Sequence, residues 1–191
     1  MKDEVAEALL RGEYEKVGLR NAFRYLYSAE ELLRFKAAEA LAVLCPKSNA
    51  RNYILRLFWL LSDESGAYCI GSPLGIAEIG RKNPDIFESF KIKFLYLLEN
   101  EEVERSYVAY GILRNAEIYF DTEARFLLEK KALELNDQKF LAYSALAIQK
   151  LGGDASNVVK RISSAVKIYN GTDLVELDAE AFRDFIKSNI F

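Results

Sequence analysis

Apolar residues recur three and four positions apart along most of the chain, the spacing of one face of an α-helix, and glycine, proline and polar clusters cut that pattern into segments. The spacing predicts helices over 3–11, ended by Gly12, and over 13–27. A longer helix runs from a Ser28 N-cap to about Cys45, with Glu31 completing a capping box and Pro46 as the stop. Helices follow over 49–62, capped by Ser48, over 73–82 with Pro73 in the first turn, and over 84–98 after the Asn83-Pro84 turn. The pattern continues at about 101–116, 120–135, 137–151 and 154–165. It then changes period. Val166-Lys167-Ile168-Tyr169 and Asp173-Leu174-Val175-Glu176-Leu177 flank Asn170-Gly171-Thr172, which predicts a β-hairpin. Asp178 is placed to cap a last helix over 179–189, with Phe182, Phe185 and Ile186 on one face.

A single signature returns through the helical region, small–large–x–x–large. It reads Ala40-Leu41-x-x-Leu44, Gly75-Ile76-x-x-Ile79, Ala109-Tyr110-x-x-Leu113 and Ala147-Ile148-x-x-Leu151. The first positions, 40, 75, 109 and 147, lie 35, 34 and 38 residues apart. A period in that range, with an apolar helical stretch before each signature, marks an array of helix pairs. The small residue lets paired helices approach to the roughly 8–10 Å of close packing, and the large residues fill the same face. The expected fold is therefore all-α: a solenoid of about five helix pairs over 1–165, with 166–191 as a hairpin-plus-helix cap packed on the same domain. Such a cap covers the apolar end that a solenoid otherwise exposes.

Composition narrows the function classes. At 191 residues, 51% hydrophobic and 29% charged, the chain is globular and long enough for a sizeable core. Its net charge of −3 does not favour a nucleic-acid partner, which a basic stripe would attract. With no histidine in the chain, a Ser–His–Asp triad, a Cys–His dyad and a His-ligated zinc are excluded. Cys45 and Cys69 match no ligand spacing and make no disulfide framework. Neither a metal nor any other cofactor is expected. The acidic start Met1-Lys2-Asp3-Glu4-Val5 is not a signal peptide, and no run of roughly 18 uncharged apolar residues predicts a membrane span. A reducing cytoplasm is the expected setting.

Arg34-Phe35-Lys36-Ala37-Ala38-Glu39-Ala40-Leu41 resembles the second helix of a HEAT repeat, whose pattern is basic-x-x-Ala-Ala-x-Ala-Leu, and Leu151-Gly152-Gly153-Asp154 is similar to the turn that closes such units. Trp59-Leu60-Leu61-Ser62-Asp63-Glu64-Ser65-Gly66, followed by Ser72-Pro73-Leu74-Gly75-Ile76-Ala77-Glu78-Ile79, resembles a small prokaryotic family of HEAT-repeat proteins. That family shows Trp-x-Leu-Asn-Asp-Glu-Ser-Gly and then Ala-Pro-Glu-x-Ile-Gly-Glu-Ile. Glu104 to Ile112 looks like its next repeat. Two residues depart from the pattern, Ser62 for the asparagine and Leu74 for the glutamate after the proline. The resemblance implies an all-α, HEAT-like right-handed α-solenoid and carries no established activity.

The candidate binding surface begins where the repeat is interrupted. Asp63, Glu64 and Ser65 place two carboxylates and a hydroxyl in a loop after the helix that bears Trp59, and Tyr68 lies in the longer linker beyond. They form either a polar recognition site or a set of helix caps and turn bonds. Glu104 and Arg105 open the helix of the third signature and face a partner or are solvated charge; Glu78 is open to the same two readings. Trp59, Tyr68, Tyr107 and Tyr110 have the amphipathic rings that interfaces favour, though packing in the core accounts for Tyr107 or Tyr110 equally well. No catalytic residue is assigned. The leading functional expectation is a non-catalytic adaptor or scaffold that binds a protein or peptide on its concave face. The alternative is an enzyme acting through carboxylates in that groove, since HEAT-like folds also occur in alkylpurine DNA glycosylases and tetrapyrrole-attaching lyases. Self-assembly through an exposed solenoid end is a third reading.

Overall fold

The computed structural model describes residues 3–62, 66–120 and 122–188, which divide between two compact units, Met1–Phe90 and Lys91–Phe191. The chain is mostly helical, with one two-stranded antiparallel sheet and a C-terminal helix. None of its helices, among the described residues, is long and apolar enough to cross a membrane.

In the first unit, α1 (Glu4–Leu10) starts at Asp3, whose carboxylate accepts the Val5 N–H. The single helix expected over 13–27 is two pieces, a 3₁₀ turn at Tyr14–Lys16 and α2 (Leu19–Tyr25). Gly18 lies between them at φ 72°, a left-handed conformation that ends one piece before the next begins. α3 (Glu31–Leu44) is entered through Glu30, not Ser28. The Ser28 hydroxyl instead accepts the Glu30 N–H at 3.1 Å and closes a turn just outside the helix, so the capping box does not form. Pro46 ends α3 as expected and is also the N-cap residue of α4 (Lys47–Trp59), which displaces Ser48 into the first turn. α4 stops at Trp59, where the Ser62 hydroxyl donates to the Trp59 carbonyl at 2.7 Å. α5 (Ser72–Lys82) has Pro73 in its first turn, and α6 (Pro84–Phe87) follows.

α3 packs against α2 and α5, and α4 against α5. The reason for the glycine in the second signature is visible here. A Cβ on Gly75 would lie 3.0 Å from a Leu57 methyl and 3.4 Å from a Leu41 methyl. The small position of one signature thus meets the large position of another, on α5 and α3.

The helix expected over 84–98 is broken into α6, α7 (Lys91–Leu95) and a 3₁₀ turn at Tyr96–Glu99. Ser89 donates its hydroxyl to the Ile86 carbonyl at 3.0 Å, competing with the helical ladder at that point. In the second unit α8 (Arg105–Arg114) begins later than expected, because Asn100 accepts the Glu102 N–H and holds an Asx turn. α9 (Ala124–Glu134) and α10 (Gln138–Lys150) follow, the latter capped by Asp137 through the Phe140 N–H at 2.7 Å. α11 is only Ser156–Lys160, since the Gln138 side chain accepts the Ser163 N–H at 2.8 Å and draws the chain out of helix.

α10 is the core of this unit. Phe140 to Ile148 is buried without interruption, and the helix packs on α8, α9, α11 and the hairpin. β1 (Val166–Tyr169) pairs with β2 (Leu174–Leu177) from Val166↔Leu177 to Tyr169↔Leu174. Gly171 takes φ 100° in the turn, and Asn170 accepts the N–H groups of Thr172 and Asp173, both at 2.9 Å. Asp178 caps α12 (Ala179–Ser188) through the Glu180 and Ala181 N–H groups, and Phe182 and Ile186 are its buried stripe. The hairpin and α12 belong to the same compact unit as α8 to α11.

Candidate functional site

A groove of about 920 Å³ opens between α2 and α4 in the first unit. Helical spacing builds both walls. Arg20 and Arg24 are four apart on α2 and share a face, while Tyr53 and Arg56 on α4 and Leu60 at its C-cap recur at three and four. The rings of Phe23 and Tyr53 meet at 5.4 Å and a 42° tilt, forming a half-buried aromatic floor. Arg56 lies over the Phe23 ring with its guanidinium carbon 4.9 Å from the centroid. Arg24 is 3.5 Å from the Asp3 carboxylate at an exposed position. No carboxylate lines the groove among the described residues.

The linker after α4 is tied to one rim of this groove. Tyr27, 44% exposed, donates its hydroxyl to the Ala67 carbonyl at 3.2 Å. The Cys69 N–H reaches the Leu60 carbonyl at 3.0 Å, and the Gly71 N–H reaches the Leu26 carbonyl at 3.2 Å. Burial pushes the Cys69 thiol up from its ordinary value, which keeps it protonated and unreactive. Trp59 and Tyr68 are 54% and 41% exposed, and Trp59 sits one turn beyond Arg56 on α4. Asp63, Glu64 and Ser65, the centre of the sequence-derived site, lie outside the described residues.

Glu78 is not on the surface. It is 1% exposed, and Arg81 donates to it from Nε at 2.8 Å. It belongs to a polar seam of the first unit in which Tyr14 donates its hydroxyl to the Glu39 carboxylate. Burial, that hydrogen bond and the charges of Glu39 and Glu78 together push the Tyr14 phenol far above its ordinary range. Lys36 is buried on the same helix as Glu39. These groups brace a helix pair; their inward placement leaves Glu78 no open face for a partner.

In the second unit Glu104 is the N-cap residue of α8 and accepts the Ser106 hydroxyl at 2.6 Å. Arg105 donates from Nε to the Leu98 carbonyl at 2.9 Å. Both side chains are partly exposed, and with Asp137 and Phe140 they border a cavity of about 190 Å³. Tyr107 is wholly buried, with the Lys139 ammonium 4.9 Å from its ring centroid, so its ring belongs to the core. Tyr110 is buried as well and packs edge-on against Tyr143 at 5.4 Å.

Over 156 residues the chain is 53% identical to an uncharacterised protein of Archaeoglobus fulgidus, a match that covers 79% of this chain and 85% of the relative. The two belong to one family. No protein-family model matches the chain. No solved structure matches it.

Family membership names no ligand, so the chemistry rests on the groove. Its arginines and aromatic floor are not among the residues that the sequence singles out. The available signal is the pair of four-residue spacings, Arg20 to Arg24 and Arg56 to Leu60, on helices whose opposite faces are apolar. Nothing in those spacings says that the two helices face one another.

Proposed function

We propose that this chain is a non-catalytic helical scaffold of the HEAT type, binding a protein or peptide partner. The support for a HEAT-like arrangement is that signature helices pack on one another within each unit, α3 on α5 and α8 on α10. The observation that carries the binding reading is the groove between α2 and α4. It combines a half-buried aromatic floor, an arginine rim and the exposed ring of Tyr27, and Trp59, exposed one turn beyond Arg56, stands outside its lining. Exposed aromatic surface bordered by polar groups is the composition of a recognition patch, and Trp, Tyr and Arg are the residues on which binding energy concentrates.

The test is affinity capture with the purified chain, comparing wild type with a W59A/Y27A double variant whose circular dichroism is unchanged. A protein retained by wild type and lost by the variant is the expected result. If no protein is retained while a small molecule raises the melting temperature, the scaffold reading fails.

A further inference from the structure

Among the described residues, the lining of the groove carries positive charge that no lining carboxylate balances. Among the described residues, Arg20 and Arg56 have no carboxylate partner, and Arg24 meets Asp3 at 3.5 Å with both side chains well exposed. This concentration stands out in a chain whose net charge is −3. All three cations are arginines, whose planar forks take carboxylates in bidentate fashion. Between them lies an aromatic floor rather than a polar one.

We infer that the α2/α4 groove of this scaffold clasps an acidic peptide segment, its carboxylates on Arg20, Arg24 and Arg56 and an apolar or aromatic side chain on the Phe23–Tyr53 floor. The inference rests on the scaffold reading and adds the chemical class of the partner. A peptide suits the site better than a nucleic acid. Affinity for a phosphate backbone grows with the number of phosphates neutralised, and three guanidiniums around one groove make a short track. An acidic segment needs only two or three such contacts, with the floor supplying apolar area to the same ligand.

Trp59 is the only tryptophan in the sequence and stands one turn from Arg56, so its fluorescence reports on this end of the groove. The probe is a synthetic Glu-rich dodecapeptide with one central Phe. Its controls are the same peptide with Gln for Glu, the same with Lys for Glu, and a single-stranded oligothymidylate of equal length. The acidic peptide is expected to bind, to weaken as salt is raised, and to lose about tenfold or more in affinity in R20E/R56E. R20Q/R56Q, which removes charge without reversing it, is expected to fall between. R11E, on a different exposed helix end, is expected to bind like wild type.

Equal binding of the Gln peptide, tighter binding of the oligonucleotide, or unchanged affinity in R20E/R56E would overturn the inference. So would concentration-dependent self-association abolished by R20E/R56E, which would make the chain's own acidic surface the occupant. The two levels separate cleanly. A captured protein that W59A/Y27A loses but R20E/R56E retains leaves the scaffold standing and removes the acidic-segment assignment.

Discussion

The phenol of Tyr143 on α10 accepts the backbone N–H of Tyr169 on β1 at 2.7 Å, in the buried interior of the second unit. The hairpin register explains why that N–H needs an outside partner. Asn170 donates to the Asp173 carbonyl next to the Tyr169↔Leu174 pair, which makes 169↔174 a non-hydrogen-bonded pair and turns the Tyr169 N–H away from β2. One side chain from the central helix therefore completes the backbone bonding of the sheet. Y143F keeps the ring and leaves a buried donor without this acceptor. The expected loss is about 1–3 kcal/mol, or a fall in Tm of about 2–4 °C per kcal/mol for a chain of this size. Amide exchange at Tyr169 should accelerate, and unchanged exchange there would show that the hairpin does not depend on this bond.

Gly71 tests close approach apart from backbone freedom. Its φ of −83° suits any residue, yet a Cβ there would lie 2.5 Å from the Leu26 carbonyl oxygen. G71A is expected to destabilise by about 1–3 kcal/mol because a backbone atom must move. At Gly80 the Cβ would meet the Phe87 ring at 2.5 Å, which offsets the roughly 1 kcal/mol that alanine gains in a helix. Chemical denaturation of G80A, F87L and the pair should show coupling, the leucine relieving some of the alanine's cost. Additive effects would place the strain elsewhere.

Alkaline stability should report on Tyr14. Burial first, then its hydrogen bond to Glu39 and the nearby carboxylate charges, raise its folded pKa above the unfolded value. The sign follows directly. Stability from the neutral phenol is complete below the unfolded pKa of about 10 and is lost as pH rises toward the folded value. Thermal melts from about pH 8 to 11 should therefore fall more steeply for wild type than for Y14F, with E39Q intermediate. Parallel slopes would mean that Tyr14 does not titrate differently on folding.

At the acid end the second unit depends on Glu99. The hydrogen bond from Lys131 and the charges of Lys131 and Lys130 hold its carboxyl below the ordinary carboxylate value. Glu99 therefore contributes stability above an unfolded pKa of about 4.3, and that contribution fades as pH falls through the lower folded value. E99Q is expected to flatten the acid limb of Tm against pH, and K131M, which removes the main cause of the lowered carboxyl, to flatten it in part. The sites are exposed and salt-screened, so the effect should shrink in high salt.

Several local elements are legible in the sequence because their cause is local. Asp3, Asp137 and Asp178 each accept N–H groups two or three residues ahead, Pro73 sits in a first turn, and Asn170-Gly171 makes the hairpin turn. The helices expected over 13–27 and 84–98 are not continuous. Apolar spacing runs through Gly18 and Ser89, where backbone conformation and a hydroxyl bond interrupt the helix without disturbing the pattern. Ser28 fails as a cap because its hydroxyl reaches the Glu30 N–H two residues ahead, before the helix has begun.

Less of the site is legible. Trp59 and Tyr68 are exposed as a binding surface requires, while Tyr107 and Glu78 are buried. Residue type does not distinguish these pairs, since an amphipathic ring or a charge on a helix points inward or outward according to which neighbour arrives.

The sequence by itself determined the helical class, the C-terminal hairpin and helix, and the four helices that bear the repeated signature, because periodicity and capping act over one or two turns. Tertiary structure alone decided that Gly75 meets Leu41 and Leu57, that Tyr143 serves the Tyr169 N–H, and that Arg20, Arg24 and Arg56 border one groove. Those relationships join residues far apart in the chain, and only the packing of one helix on another brings them within reach.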